Sequence, residues 1–152
     1  MQLRSLLTKF ECVVSWLQSP LLLVIRLYWG WQFFLTGKAK LMDIPTFVER
    51  FTNWGVPMPK INVVMAGTTE AVGGLLLALG LFARPAAVPL IGTMVVAYLT
   101  AEKESLHAIF SEPDKFVTAD PFLFLFASVI VLVFGPGKLS LDALFFRKSG
   151  SA

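Results

Sequence analysis

Residues 61–83 read INVVMAGTTEAVGGLLLALGLFA, and this stretch decides the fold. Its only charge is Glu70, and it is long enough to cross a bilayer, which takes about 20 mostly apolar residues in a helix. Ala66, Gly67, Ala71, Gly73, Gly74 and Ala78 recur along it. Small residues at such spacing, Gly67-x3-Ala71 among them, let a second helix backbone approach closely in lipid. The stretch therefore predicts a membrane helix at the centre of a bundle.

The rest of the chain agrees with that reading. Of its 152 residues, 56% are hydrophobic and 15% charged, and the mean hydropathy is +0.72. Soluble domains carry about 25% charged residues. A soluble chain this apolar would lack the polar surface to cover its core, whereas lipid as the outer solvent removes the problem. The net charge of +3 is scattered. It forms no basic stripe that would follow nucleic acid, and it suits contact with anionic lipid headgroups. Cys12 is the single cysteine, so an internal disulfide, a CxxC pair or a thiolate metal cage is excluded. His107 is the single histidine, and no metal site is legible around it.

Four apolar stretches stand out, at about 20–36, 61–83, 85–101 and 119–135. They predict an all-α integral membrane four-helix bundle in one domain covering 1–152. Pro20, Pro85 and Pro121 mark first helical turns, and Asp120 is placed to N-cap the fourth span. Gly37 and Gly135-Pro136-Gly137 mark the ends of the first and fourth. Two amphipathic segments lie outside the spans. In residues 3–17, Leu3, Leu6, Leu7, Phe10, Val14 and Leu17 share one helical face. In Pro45–Trp54, Phe47, Phe51 and Trp54 oppose Glu49, Arg50 and Asn53. Each predicts a helix lying at the membrane surface. Arg4 and Lys9 ahead of an apolar run resemble a signal peptide, but no cleavage motif follows and Arg26 interrupts the run, so the segment is read as retained. Lys and Arg divide evenly between the two sides. Asp and Glu concentrate on the loops between spans, which places both termini in the cytoplasm.

Two charges fall inside spans, Arg26 and Glu70. An ion at the bilayer centre costs several kcal/mol, roughly, and such residues turn inward and pair. With the first helix ending at Thr36 and the second starting at Ile61, both lie roughly 15 Å deep at the helical rise. The two are predicted to pair across antiparallel neighbours. Thr69, Thr93 and Ser128 add polar groups at that depth, and Trp29 and Phe33 would wall a pocket there. Two readings stay open: a salt bridge that holds two helices together, or a site that binds a ligand or moves a proton. No GxGxxG, Walker loop, HExxH or Ser-His-Asp set is present, so no self-contained enzyme site is legible.

Several short motifs in fixed order complete the picture. They are Gly30-x2-Phe33-Phe34-x2-Gly37-x2-Lys40-Leu41, Trp54-Gly55-Val56-Pro57-Met58-Pro59, Glu70-x2-Gly73-Gly74-Leu75-Leu76, Gly80-Leu81-Phe82-Ala83-Arg84, Met94-x2-Ala97, and Gly135-Pro136-Gly137-Lys138-Leu139-Ser140-Leu141-Asp142. Together they resemble the DoxX family of bacterial four-helix membrane proteins, over roughly residues 26–142. The resemblance implies an inner-membrane, multi-pass protein. It also implies a link to redox or oxidative-stress systems, since the family is named for a membrane subunit of a thiosulfate:quinone oxidoreductase. One expectation is thus a membrane component of a redox system, with a redox partner protein, contacting a quinone through Arg26, Glu70, Trp29 and Phe33. The other is a non-catalytic assembly or interaction protein whose Arg26–Glu70 layer is structural. A transporter is disfavoured by the scarcity of intramembrane polar groups.

Overall fold

The computed structural model describes residues 2–146, with the side chains of Leu7, Phe10, Glu11 and those from Val14 onward. The side chains of Arg4, Lys9 and Cys12, and Arg147 and Lys148 altogether, lie outside the described residues. The described residues form eight α-helices and no strand: α1 (Gln2–Met42), α2 (Ile44–Asn53), α3 (Pro59–Leu79), α4 (Ala83–Thr100), α5 (Lys103–His107), α6 (Pro113–Thr118), α7 (Pro121–Phe134) and α8 (Leu141–Phe145). α1 lies along α3, α3 packs on α4, α4 on α7, and α7 returns to α1. Phe33, Leu77, Ala83, Ala87, Leu90, Met94 and Val131 form the shared core. α3 and α4 are long and apolar enough to cross a membrane, while α7 is apolar but shorter, at 14 residues. Large apolar side chains such as Leu21, Val24, Val72, Val88 and Val133 cover the outside. A surface that is apolar all round suits lipid rather than water.

The closest packing joins α1 to α3 through small residues. A Cβ at Gly30 would stand 2.6 Å from the Ala78 nitrogen and 2.7 Å from the Gly74 oxygen. A Cβ at Gly37 would run into the backbone of Ala71 and Gly67. The small face of α3 is therefore the seat of α1, as its sequence predicts.

Three boundaries differ from the sequence expectation. First, residues 3–17 are not a separate surface helix turning in at Pro20, because α1 runs unbroken through that proline. Pro20 lacks an N–H, which frees the carbonyl four residues earlier. Trp16, whose carbonyl that is, is exposed. Second, Gly37 does not end the helix, which continues to Met42. Third, Asp120 stands at the start of α7 but makes no side-chain cap.

α2 forms where the amphipathic pattern places it. Asp43 caps it by accepting from the Thr46 nitrogen at 3.4 Å. Phe47, Val48 and Phe51 are half-buried, while Glu49, Arg50, Thr52 and Asn53 are exposed. α2 packs against α3 and also touches α1. The α3–α4 connection is tight: Gly80 closes α3 at φ +66°, a left-handed conformation that glycine adopts without strain.

Candidate functional site

The polar groups form two separate centres rather than one layer. Gly37 faces Ala71 and Gly30 faces Ala78. Continuing that register puts Arg26 level with Phe82, about 18 Å along the axis from the level of Glu70 at 1.5 Å per residue. The expected Arg26–Glu70 pair therefore does not form. Its register set the end of the first helix, Thr36, level with Ile61, whereas α1 runs on to Met42 and Thr36 stands level with Val72.

Glu70 pairs instead with Lys40. The Lys40 ammonium lies 2.5 Å from Glu70 Oε2. Thr36 Oγ1 lies 3.0 Å from the same oxygen and 3.0 Å from the Phe33 carbonyl, so its one hydroxyl proton is shared between the two acceptors. Thr36 and Lys40 are four apart on α1 and so project from one face toward α3. The side chain of Glu70 is 4% exposed and that of Lys40 17%. Lys40 Nζ also lies 5.8 Å from the centre of the Phe47 ring, a cation–π distance that links the pair to α2. The sequence reading missed Lys40 and Thr36 as site residues, having placed Lys40 in a loop beyond Gly37.

Arg26 is fully buried at the opposite end of the interface. Its Nη2 donates to the Leu139 carbonyl, and its Nε and Nη1 have no partner among the described residues. Asp142 stands by it and binds the start of α4, accepting from the Phe82 nitrogen at 2.8 Å and the Ala83 nitrogen at 3.1 Å. The Asp142 nitrogen in turn donates to the Gly80 carbonyl at 2.9 Å. Any Cβ at position 80 would collide with the Arg26 guanidinium. The Gly80–Arg84 and Gly135–Asp142 motifs are thus neighbours in space, closed around Arg26 as a clasp between α1, the α3–α4 turn and the segment after α7.

The remaining expected site residues divide. Trp29 and Phe33 both meet Phe124 edge-to-face, at 5.1 Å and 4.7 Å between ring centres. Phe33 is wholly buried and belongs to the core. Ser128 donates to the Phe124 carbonyl at 2.8 Å, and Thr93 to the Leu90 carbonyl at 2.8 Å, each within its own helix. Of these four, Thr93 lines the cavity that Glu70 faces; Trp29, Phe33 and Ser128 do not.

That cavity has a volume of about 510 Å³ and lies among α1, α2, α3, α4 and the start of α7. Thr36, Lys40 and Glu70 supply its polar end, and Trp54, Met94 and Phe124 are among its apolar walls. Both hydrogen bonds to Glu70 fall on Oε2, leaving Oε1 without a partner among the described residues. Small-molecule sites have this character: mostly apolar, a few hundred cubic ångströms, with a few convergent polar groups.

Comparison with known proteins places the site in context. Residues 21–103, more than half of the chain, match the DoxX family. A protein of Haemophilus influenzae described as uncharacterized is 34% identical over 128 residues, 82% of this chain and 90% of the relative. The inner membrane protein YphA of Escherichia coli is 28% identical over 130 residues, 80% and 88% of the two chains. An uncharacterized membrane protein of Mycobacterium tuberculosis is 31% identical over 142 residues, 86% and 84%. No solved structure matches the chain significantly.

Proposed function

The chain belongs to the DoxX family of membrane proteins, and from that premise we propose that it crosses the inner membrane four times and holds the head group of a quinone beside Glu70 and Lys40, as the membrane component of a redox system. The observation that carries this reading is the buried ion pair at the polar end of an aromatic-walled cavity. Burying two ions costs several kcal/mol, roughly, that their attraction does not reliably repay, so stability alone is a poor reason to keep them. A quinone offers what the cavity lacks: a flat ring for the aromatic walls and a carbonyl oxygen that accepts from Lys40. The chain carries no nucleotide, flavin or metal motif, so the electrons are assigned to a redox partner protein.

The test is a binding titration. Purified protein in lipid nanodiscs is expected to bind ubiquinone saturably, read by quenching of Trp54, with a Trp54→Phe protein as the spectral control. Lys40→Met and Glu70→Gln should each weaken binding about tenfold, the scale of a lost hydrogen bond to a charged group. Absence of saturable binding by the unaltered protein would sink the quinone reading.

The four crossings are α3, α4, α7 and the part of α1 beyond Pro20, with both termini in the cytoplasm. At 1.5 Å per residue α7 spans about 21 Å, less than a typical hydrocarbon core, a mismatch that local thinning accommodates. Reporter fusions at Ser111 and at Ala152 are expected to report opposite compartments. The same compartment for both would refute the topology.

A further inference from the structure

α3 and α4 touch at Gly73, where an added Cβ would stand 3.0 Å from the Leu90 side chain. Beyond that level, toward the end that α2 covers, the two helices face each other across the cavity. Met65 and Ala66 line it from α3, and Pro89, Gly92, Val96 and Ala97 from α4. With Asn62 and Thr69, which also line it, the α3 residues follow the three- and four-residue spacing of a single helical stripe, as do Pro89, Gly92 and Val96 on α4. Met65 and Val96 line the cavity and are also 60% and 50% exposed on the outer surface. The cavity therefore reaches the surface between them, toward the α2 end of two apolar helices, with Gly92 near the middle of α4. The gap stands open at Gly92, where a Cβ would meet nothing within 4 Å. At the other end, Phe51 and Trp54 of α2 and Pro121 of α7 stand across the way to water.

We infer that the α3–α4 cleft is a side door to the bilayer, in which the isoprenoid tail of a long-tailed quinone lies with its head group at Glu70 and Lys40. This rests on the quinone reading above and adds the route and the tail. A cavity of about 510 Å³ takes a head group and the first part of a tail, so a full tail has to leave it. The cleft rim at Met65, Gly92, Val96 and Ala97 is apolar or small, whereas the charges lining the cavity are Lys40, Glu70, Glu102 and Asp120. A phospholipid fits less well, because its charged head would have to leave the interface and shed its hydration to reach Glu70 and Lys40.

The experiment compares two ligands on one protein in nanodiscs: the tail-less benzoquinone head and a ubiquinone with a full isoprenoid tail. Gly92→Trp fills the cleft from a position with room for it. Val95→Trp places the same bulk on α4 outside the cavity and serves as the control. Gly92→Trp is expected to weaken binding of the long-tailed quinone about tenfold or more relative to Val95→Trp, through lost burial of the tail, and to weaken the tail-less head much less. An equal loss for both ligands, or no loss for either, overturns the side door while leaving the quinone site in place. Failure of the unaltered protein to bind either ligand overturns the quinone reading itself, and the side door with it. Met65→Trp, on the opposite rim, gives the same readout should Gly92→Trp not fold.

Discussion

Gly37→Leu is expected to separate α1 from α3 and to abolish recovery of folded protein. The first carbon of any side chain at position 37 would stand 2.6 Å from the Gly67 carbonyl and 2.9 Å from the Ala71 Cα, closer than atoms pack. These obstacles are backbone, so no rotamer change relieves them. Overpacking a core costs typically about 1–3 kcal/mol when side chains yield. Here two helix axes have to part along the most extensive interface of the protein, so the loss should exceed that range. Set against a total stability of about 5–15 kcal/mol, that is enough to remove the folded state. Gly37→Ala should already lower the midpoint of thermal unfolding in detergent. Gly92→Ala makes the same chemical change in open space and should stay within about 0.5 kcal/mol of the unaltered protein. Equal melting of the Gly37 and Gly92 variants would show that the α1–α3 register described here is wrong.

The second large effect is expected at the ion pair. Glu70→Leu leaves the Lys40 ammonium buried without its anion, and Lys40→Leu does the converse. Breaking a buried pair from one side costs about 3–5 kcal/mol in comparable cases. The Lys40→Leu/Glu70→Leu double variant should recover much of that, since it leaves no uncompensated ion, and the cycle should show a coupling of about 0.5–3 kcal/mol. The same cycle on Arg26 and Glu70 should be additive, because the two sit about 18 Å apart at the helical rise and share no partner. Strict additivity for Lys40 with Glu70, or strong coupling for Arg26 with Glu70, would reverse the assignment. A double variant that folds well but no longer binds quinone would show that the pair is kept for binding. One that folds and binds normally would make it structural.

How much of this was legible in the sequence depended on the range of the interaction. The apolar stretches gave the helices now seen as α3, α4 and α7 to within a few residues, because hydropathy is a local property. α2 was legible for the same reason, its faces alternating within ten residues. The small face of α3 was legible as a packing surface. The site was not, and Gly37 shows why. A glycine followed by lysines reads as a helix stop, yet in α1 it is a contact glycine, spaced from Gly30 as Ala71 is from Ala78. Taking it as a stop shortened α1, shifted the register against α3, and put Arg26 where Thr36 and Lys40 belong. Matching the two small-residue spacings against each other would have found the register from sequence. No such pattern reveals that Arg26 binds a carbonyl 113 residues away. Nor does a polar residue at the right depth mark a site: Thr93 and Ser128 bond within their own helices.

The clasp around Arg26 also sets an order of events in the making of the protein. The ribosome delivers Arg26 early, in the first long helix, and delivers Leu139 and Asp142 only near the end of the fold. Throughout the interval the first helix carries a guanidinium whose carbonyl acceptor does not yet exist, and it has to stay near a watery interface or a chaperone until that acceptor arrives. The α3–α4 turn is equally unfinished, since the start of α4 waits for the Asp142 carboxylate. Arrival of the last segment settles both at once. Synthesis of the Leu139–Asp142 segment thereby becomes the step that gives the first helix its acceptor, and a chain stalled before it keeps a guanidinium without that partner.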